Sequence, residues 1–206
     1  MLLHIPDVLT APEVAALREA LHAVEWRRGQ PVAPPEPVRV VQAALARNAL
    51  FFAAALPVRS LPLQFQRCAV GEPAPDDDNG ALCRGPDGAL LRADIGATLF
   101  LSGEDDYDGG ELLVDDIYGR HEVKLGAGDL AIYSAASAHR IEPVTRGVRL
   151  SAVFRIQSMV RNDFERNMLF DLDRTIQALR ARIGDGEETV ALTSHYHNLL
   201  RHWART

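Results

Sequence analysis

Hydrophobic spacing divides the chain into a helical start, a strand-rich middle and a helical end. Val14, Leu17, Leu21 and Val24 recur on one helical face. Thr10-Ala-Pro12-Glu13 opens that helix as a capping box, the Thr10 hydroxyl taking one orphan amide while Glu13 reaches back. The run RRGQPVAPPEPVR (27–39) holds Pro31, Pro34, Pro35 and Pro37, which excludes both helix and central strand, so it reads as a linker. An Ala- and Leu-rich segment then predicts a second helix over 38–55.

Beyond it the period shortens to two. LPLQFQRC (61–68) alternates, ATLFLS (97–102) is a short apolar run, and ELLVDD (111–116) and HEVKL (121–125) flank a turn at Tyr118-Gly119. GAGDLAIYS (126–134) reads as a glycine turn followed by a strand, and VRLSAVFRIQS (148–158) is the longest strand. Short strands at this spacing predict an antiparallel sandwich or barrel. After Met159 the helical period returns: Phe164, Met168, Leu172, Ile176, Leu179 and Ile183 predict a long helix, Gly184-Asp-Gly186 breaks it, and 189–206 closes with another. The chain is expected to form a β domain with N-terminal helices over 1–158 and a helical extension over 159–206 packed on it.

Composition narrows the function classes. A length of 206 residues suits one core, and 47% apolar with 24% charged residues excludes a disordered chain. The net charge of −6 counts against nucleic acid as a partner. No stretch approaches the roughly 18 apolar residues of a membrane span. Two cysteines, Cys68 and Cys83, are too few for a disulfide framework, and the N-terminus carries no basic leader region. The expected location is the cytoplasm, with no membrane partner.

Two residues stand out for chemistry. His139 follows the strand ending near Tyr133, and Arg149 enters the next strand ten residues later. Imidazole is a common ligand for iron, copper or zinc, and arginine offers a bidentate fork to a carboxylate. On spacing alone His139 reads as an ordinary hydrogen-bonded surface or core residue. His195-Tyr196-His197 lies on a helix, where positions i and i+2 face apart, so it makes a poor chelate. No Ser-His-Asp arrangement or phosphate loop is visible.

The segments ATLFLS, YDGGEL, VKLGAGDLAIY, SAHRIEPVTRGVR, RIQSMVRNDFERNMLFDLD and YHNLLRHWA, in this order, closely resemble the bacterial PKHD-type hydroxylases. Those belong to the Fe(II)- and 2-oxoglutarate-dependent dioxygenases. The resemblance runs from about Arg92 to Trp203 and covers 1–28 and 48–57 as well. It implies a mainly β fold with flanking helices: a double-stranded β-helix (jelly-roll, cupin-like) core plus C-terminal helices. It implies Fe(II) and 2-oxoglutarate as cofactors and hydroxylation of a C–H bond on a small molecule or peptidyl substrate, and no catalytic residue is assigned beyond the metal site. The distal metal-ligating His falls on His139, and the Arg that grips 2-oxoglutarate falls on Arg149.

The family's His-x-Asp falls on Asp77-Asp78-Asn79, so Asp77 stands for the histidine and Asn79 for the carboxylate. A register slipped by one residue aligns Asp76 and Asp78 instead. Asn is a weak neutral donor and Asp a hard one, a set that suits another divalent metal better than iron. PDDDNG (75–80) also reads as a plain surface turn. Two expectations follow: an oxygenase with an altered metal triad, or an inactive pseudo-hydroxylase serving as a binding or partner subunit. The partner expectation is a homodimer or a hetero-oligomer with an active relative.

Overall fold

The computed structural model describes residues 1–31, 38–72, 80–85 and 88–205. The chain opens with β1 (Leu2–Ile5), α1 (Ala11–His22), the two-residue strands β2 (Trp26–Arg27) and β3 (Gln30–Pro31), α2 (Val38–Arg47) and α3 (Ala49–Ala55). Glu13 reaches back as the sequence predicts, its Oε2 accepting from the Thr10 amide at 2.8 Å, while the Thr10 hydroxyl donates to that same carboxylate at 2.9 Å rather than taking an amide. The single helix expected over 38–55 is two, bent by 81° at Asn48. The Asn48 side chain accepts from the Phe51 amide and so caps α3, starting a new helix inside an apolar run.

The strands continue as β4 (Pro57–Ser60), β5 (Gln64–Ala69), β6 (Leu82–Arg84), β7 (Leu90–Arg92), β8 (Ile95–Phe100), β9 (Tyr107–Gly109) and β10 (Leu112–Asp116). Then come β11 (Gly119–Val123), β12 (Leu130–Ser134), β13 (Ala138–Ile141) and β14 (Val144–Ser158). The larger sheet runs β1-β12-β8-β14-β4, with β5 and β9 also on β14, and a second sheet runs β11-β10-β13. The pairings are antiparallel, and together the sheets form the predicted jelly-roll core with helices beside it.

Strand alternation decides what each face carries. Ile95, Ala97 and Leu99 of β8, Leu130 and Ile132 of β12, and Leu150, Ala152, Phe154 and Ile156 of β14 pack in one cluster with Val14, Leu17, Leu21, Val41 and Phe51 of the helices. The opposite face turns Phe100, Ala131 and Tyr133 toward Leu112 and Val114 of the second sheet. On β14 the same alternation sends Arg149, Ser151, Val153 and Arg155 into that lumen. The functional side chains therefore share the face away from the helices.

At the C-terminus α4 (Asp163–Ile183) starts on Asn162, whose side chain accepts from the Phe164 and Glu165 amides, and α5 (Glu187–Trp203) folds back beside it. Leu56, Val160 and Leu169 form a buried cluster with Tyr196, Leu199, Leu200 and Trp203 packed on it. The buried face of α4 is Arg166, Leu169 and Ile176, while Phe164, Met168 and Ile183 are exposed. The stripe read from the sequence is thus rotated. Arg166 turns inward because its guanidinium donates to the Val160 carbonyl at 2.8 Å and pairs with Asp163. No single helix among the described residues is long and apolar enough to cross a membrane.

Candidate functional site

Arg149 is fully buried in the lumen. Its Nη1 donates to the Ser151 hydroxyl at 2.8 Å, and its Cζ lies 5.3 Å from the centre of the Phe100 ring. Its Nε and Nη2 have no acceptor among the described residues. That same Nε/Nη2 edge, in Arg92, Arg120 and Arg146, grips Asp94, Asp115 and Asp108 in paired hydrogen bonds. In Arg149 the fork is formed and open.

Two more buried polar atoms near it are without a hydrogen-bond partner among the described residues: the Tyr107 hydroxyl and Gln66 Oε1. Gln66 stands opposite Ser151 in the β5–β14 register, and Cys68 stands opposite Arg149. Burial pushes the Tyr107 hydroxyl and the Cys68 thiol up from their ordinary pKa values, and the Arg149 charge pulls both back down. Lys124 caps the group, with Nζ 4.3 Å from the centre of the Tyr107 ring and donating to the Tyr107 carbonyl at 2.7 Å. Gly110 makes the room: a Cβ there would lie 3.0 Å from Tyr107 Cε2 and 3.1 Å from Arg149 Cδ.

His139 sits within β13, opposite Val114 of β10. Its ring lies 4.8 Å from that of Tyr133. Its Nδ1 bonds the Ser137 carbonyl at 3.0 Å, and its Nε2 lies 3.2 Å from Nη2 of Arg155. His139 and Arg149 therefore rest on Tyr133 and Phe100, two rings of one cluster. Asp76, Asp77, Asp78 and Asn79 lie outside the described residues. Among the described residues, no three His, Cys, Asp or Glu side chains are grouped to hold a metal.

A cavity of about 260 Å³ opens beside Arg155, lined by Gln64, Cys83, Arg84 and Val153 among others. A larger one, about 960 Å³, lies between the barrel rim and the C-terminal helices, lined by Arg92, Asp94, Ser134, Arg161 and Trp203 among others, and includes none of the open polar groups around Arg149. Sequence reasoning missed Tyr107, Gln66, Ser151 and Arg155. Parity along β14 was the available signal for Ser151 and Arg155, since both are an even number of residues from Arg149. Tyr107 entered only as the first residue of the YDGGEL segment.

A family model described as the PKHD-type hydroxylase C-terminal domain matches residues 163–205. A protein named PKHD-type hydroxylase from Janthinobacterium sp. (strain Marseille) is 47% identical over 224 aligned positions, covering 99% of each chain. Set against the 206 residues here, 224 positions leave at least 18 in that relative without a counterpart. Among solved structures, the non-heme alpha ketoglutarate dependent carbocyclase SnoK from nogalamycin biosynthesis superposes with a TM-score of 0.54 at 21% identity, over 75% of this chain and 79% of that one. HygX from Streptomyces hygroscopicus, with nickel and 2-oxoglutarate bound, gives 0.52 at 16% identity, over 74% of this chain and 81% of that one. These two likenesses speak to the fold alone. With nearly half of the aligned positions identical along almost the whole length of a PKHD-type hydroxylase, the chain belongs to that family.

Proposed function

We propose that this PKHD-type hydroxylase relative binds a 2-oxo dicarboxylate of the 2-oxoglutarate class in its jelly-roll lumen, with Arg149 as the carboxylate grip, and that its metal half is altered. One observation carries the reading: a fully buried guanidinium presents Nε and Nη2 with no acceptor among the described residues. A buried charge without a partner is costly, and a carboxylate satisfies both donors at once. Ser151 holds Nη1 and so fixes the plane of the fork. The Tyr107 hydroxyl can donate to a ligand oxygen, and the rings of Phe100 and Tyr107 exclude water from the seat. A 2-oxoglutarate end group therefore fits the residues present.

A metal does not fit His139 in the same way, because the Nε2 that would ligate it already faces a guanidinium nitrogen at 3.2 Å. Iron and 2-oxoglutarate, if both were bound, would let dioxygen act as the oxidant for C–H hydroxylation; the residues described here would supply the carboxylate end. The reading is thus a carboxylate-binding pseudo-hydroxylase, in the cytoplasm, acting alone, as a homodimer or beside an active relative. Calorimetry tests it: 2-oxoglutarate binds the wild-type protein and not Arg149→Met. Equal binding by both overturns it.

A second reading keeps turnover, with Asp77 and Asn79 (or Asp76 and Asp78) joining His139 around Fe(II) or another divalent metal. It is favoured by the 47% identity to a protein bearing the hydroxylase name. Iron-dependent conversion of 2-oxoglutarate to succinate by the purified protein decides for it.

A further inference from the structure

Along one face of α4 run Phe164, Met168, Leu172, Thr175, Leu179 and Ile183. The fold does not cover that face, because the buried residues of the helix are Arg166, Leu169 and Ile176. Phe164 is 70% exposed, Met168 45% and Ile183 59%, with Leu172 and Leu179 half-buried between them. Thr175 is exposed as well, and its hydroxyl donates to the Asp171 carbonyl at 2.8 Å. The only polar side chain in the stripe is therefore satisfied within its own helix and asks nothing of a partner. Contiguous apolar surface of this extent marks an interface.

The spacing of the stripe says what covers it. Its six positions lie four, four, three, four and four residues apart, the same in either direction. Two copies laid antiparallel, with a two-fold axis level with the Asp173–Arg174 peptide, bring Phe164 to Ile183, Met168 to Leu179 and Leu172 to Thr175. Each contact is then made twice, as an isologous interface requires.

Charge sets the direction. Asp163, Glu165, Asp171 and Asp173 occupy the first half of α4, and Arg174, Arg180 and Arg182 the second. A parallel pair sets like halves together, while an antiparallel pair sets acid on base and opposes the two helix dipoles. On the solvent side of the stripe Asp171 comes within one turn of Arg174 of the second copy. Both are exposed, and neither has an ion-pair partner in its own chain among the described residues. The Arg174 guanidinium lies only over Phe170, its Cζ 5.8 Å from the ring centre.

We infer that the chain forms a two-fold homodimer by antiparallel packing of α4 on α4, with the apolar stripe at its centre and Asp171 paired with Arg174 across it. The stripe is one helix wide, so the interface buries about 1,000 Å² in total, at the low end for specific association, and the dimer dissociates in the micromolar range. Nothing in this depends on a ligand at Arg149.

Sedimentation velocity of the full chain without 2-oxoglutarate, from about 1 to 100 µM, reads the dimer as twice the 22.6 kDa chain mass. The wild type passes from monomer to dimer across that range. Phe164→Glu with Met168→Glu, verified as folded by circular dichroism, weakens the dimer about tenfold or more. Asp171→Arg and Arg174→Asp each set like charges across the axis and weaken it about threefold or more. An equimolar mixture of those two variants recovers association, because in the heterodimer both pairs are again opposite in sign. General stickiness of an apolar face does not give that recovery.

A wild type that stays monomeric at about 100 µM overturns the inference. If it is monomeric alone yet pairs with an active PKHD-type hydroxylase, the stripe belongs to that relative instead. A dimer kept at wild-type strength by the folded Phe164→Glu, Met168→Glu chain also overturns it. Should that variant fail to fold, the charge variants decide, and no weakening by either, or no recovery on mixing, overturns it too. With 2-oxoglutarate absent throughout, none of these outcomes bears on the reading of Arg149.

Discussion

Replacing Arg149 with methionine separates a binding role from a structural one, because the two predict opposite signs. Without ligand, the wild type holds a buried charge whose Nε and Nη2 are unmet among the described residues. Each unmet donor costs about 1–3 kcal/mol. Methionine matches the length of the chain and suits the walls offered by Phe100, Cys68 and Val144. Against that gain stands the Ser151 hydroxyl, stranded at about 1–3 kcal/mol, and the lost cation over Phe100, about 0.5–2 kcal/mol. The balance favours the variant by about 1 kcal/mol, which raises the melting temperature by about 2–4 °C for a chain of this size.

Saturating ligand reverses the order. At roughly a hundred times its dissociation constant, 2-oxoglutarate adds about 2.7 kcal/mol to the wild type and nothing to the variant. Thermal melts by circular dichroism, with and without 2-oxoglutarate, read both effects, and urea curves with an unchanged slope confirm that the stability itself moved. A ligand-free Arg149→Met that melts several degrees below the wild type refutes the argument, because Arg149 would then be part of the scaffold.

Three further outcomes follow from local geometry. The hydrogen bond from Arg47, with that from the Thr10 amide next, holds the Glu13 carboxyl down to about 2 from an ordinary 4.5. Its stabilisation is full above pH 4.5 and vanishes as pH falls through about 2, so the melting temperatures of Glu13→Gln and wild type differ at pH 6 and converge near pH 2. Gly147 has φ +73° and a Cβ there would lie 2.0 Å from the Asp106 carbonyl oxygen, so Gly147→Ala loses about 2 kcal/mol or more in urea denaturation. Burial raises the Cys68 thiol pKa against the pull of Arg149, so in a Cys83→Ser background Ellman's reagent reacts slowly with native protein at pH 8 and slower still in Arg149→Met; a burst of one equivalent contradicts this.

Local signals made the scaffold legible where they were dense. The alternation in VRLSAVFRIQS marks β14, and the Thr10–Glu13 box marks the start of α1. The sequence misled where two rules competed at one residue. The apolar run 38–55 reads as one helix until the Asn48 side chain is seen capping the second. The α4 stripe is rotated because Arg166, a residue any pattern sends to the surface, finds the Val160 carbonyl and stays inside. β1, in MLLHI, is too short to show a period and exists because β12 offers it an edge.

The site divides along the same line. Arg149 was visible through its family resemblance, and its alternation partners Ser151 and Arg155 follow from strand parity. What parity cannot supply is the neighbour across the lumen: His139 meets Arg155 from another sheet, and no spacing in the sequence encodes that 3.2 Å contact. Family membership is carried by nearly the whole chain, 47% identical over 99% of its length to a PKHD-type hydroxylase. A 47% identity fixes the family and does not encode that one contact.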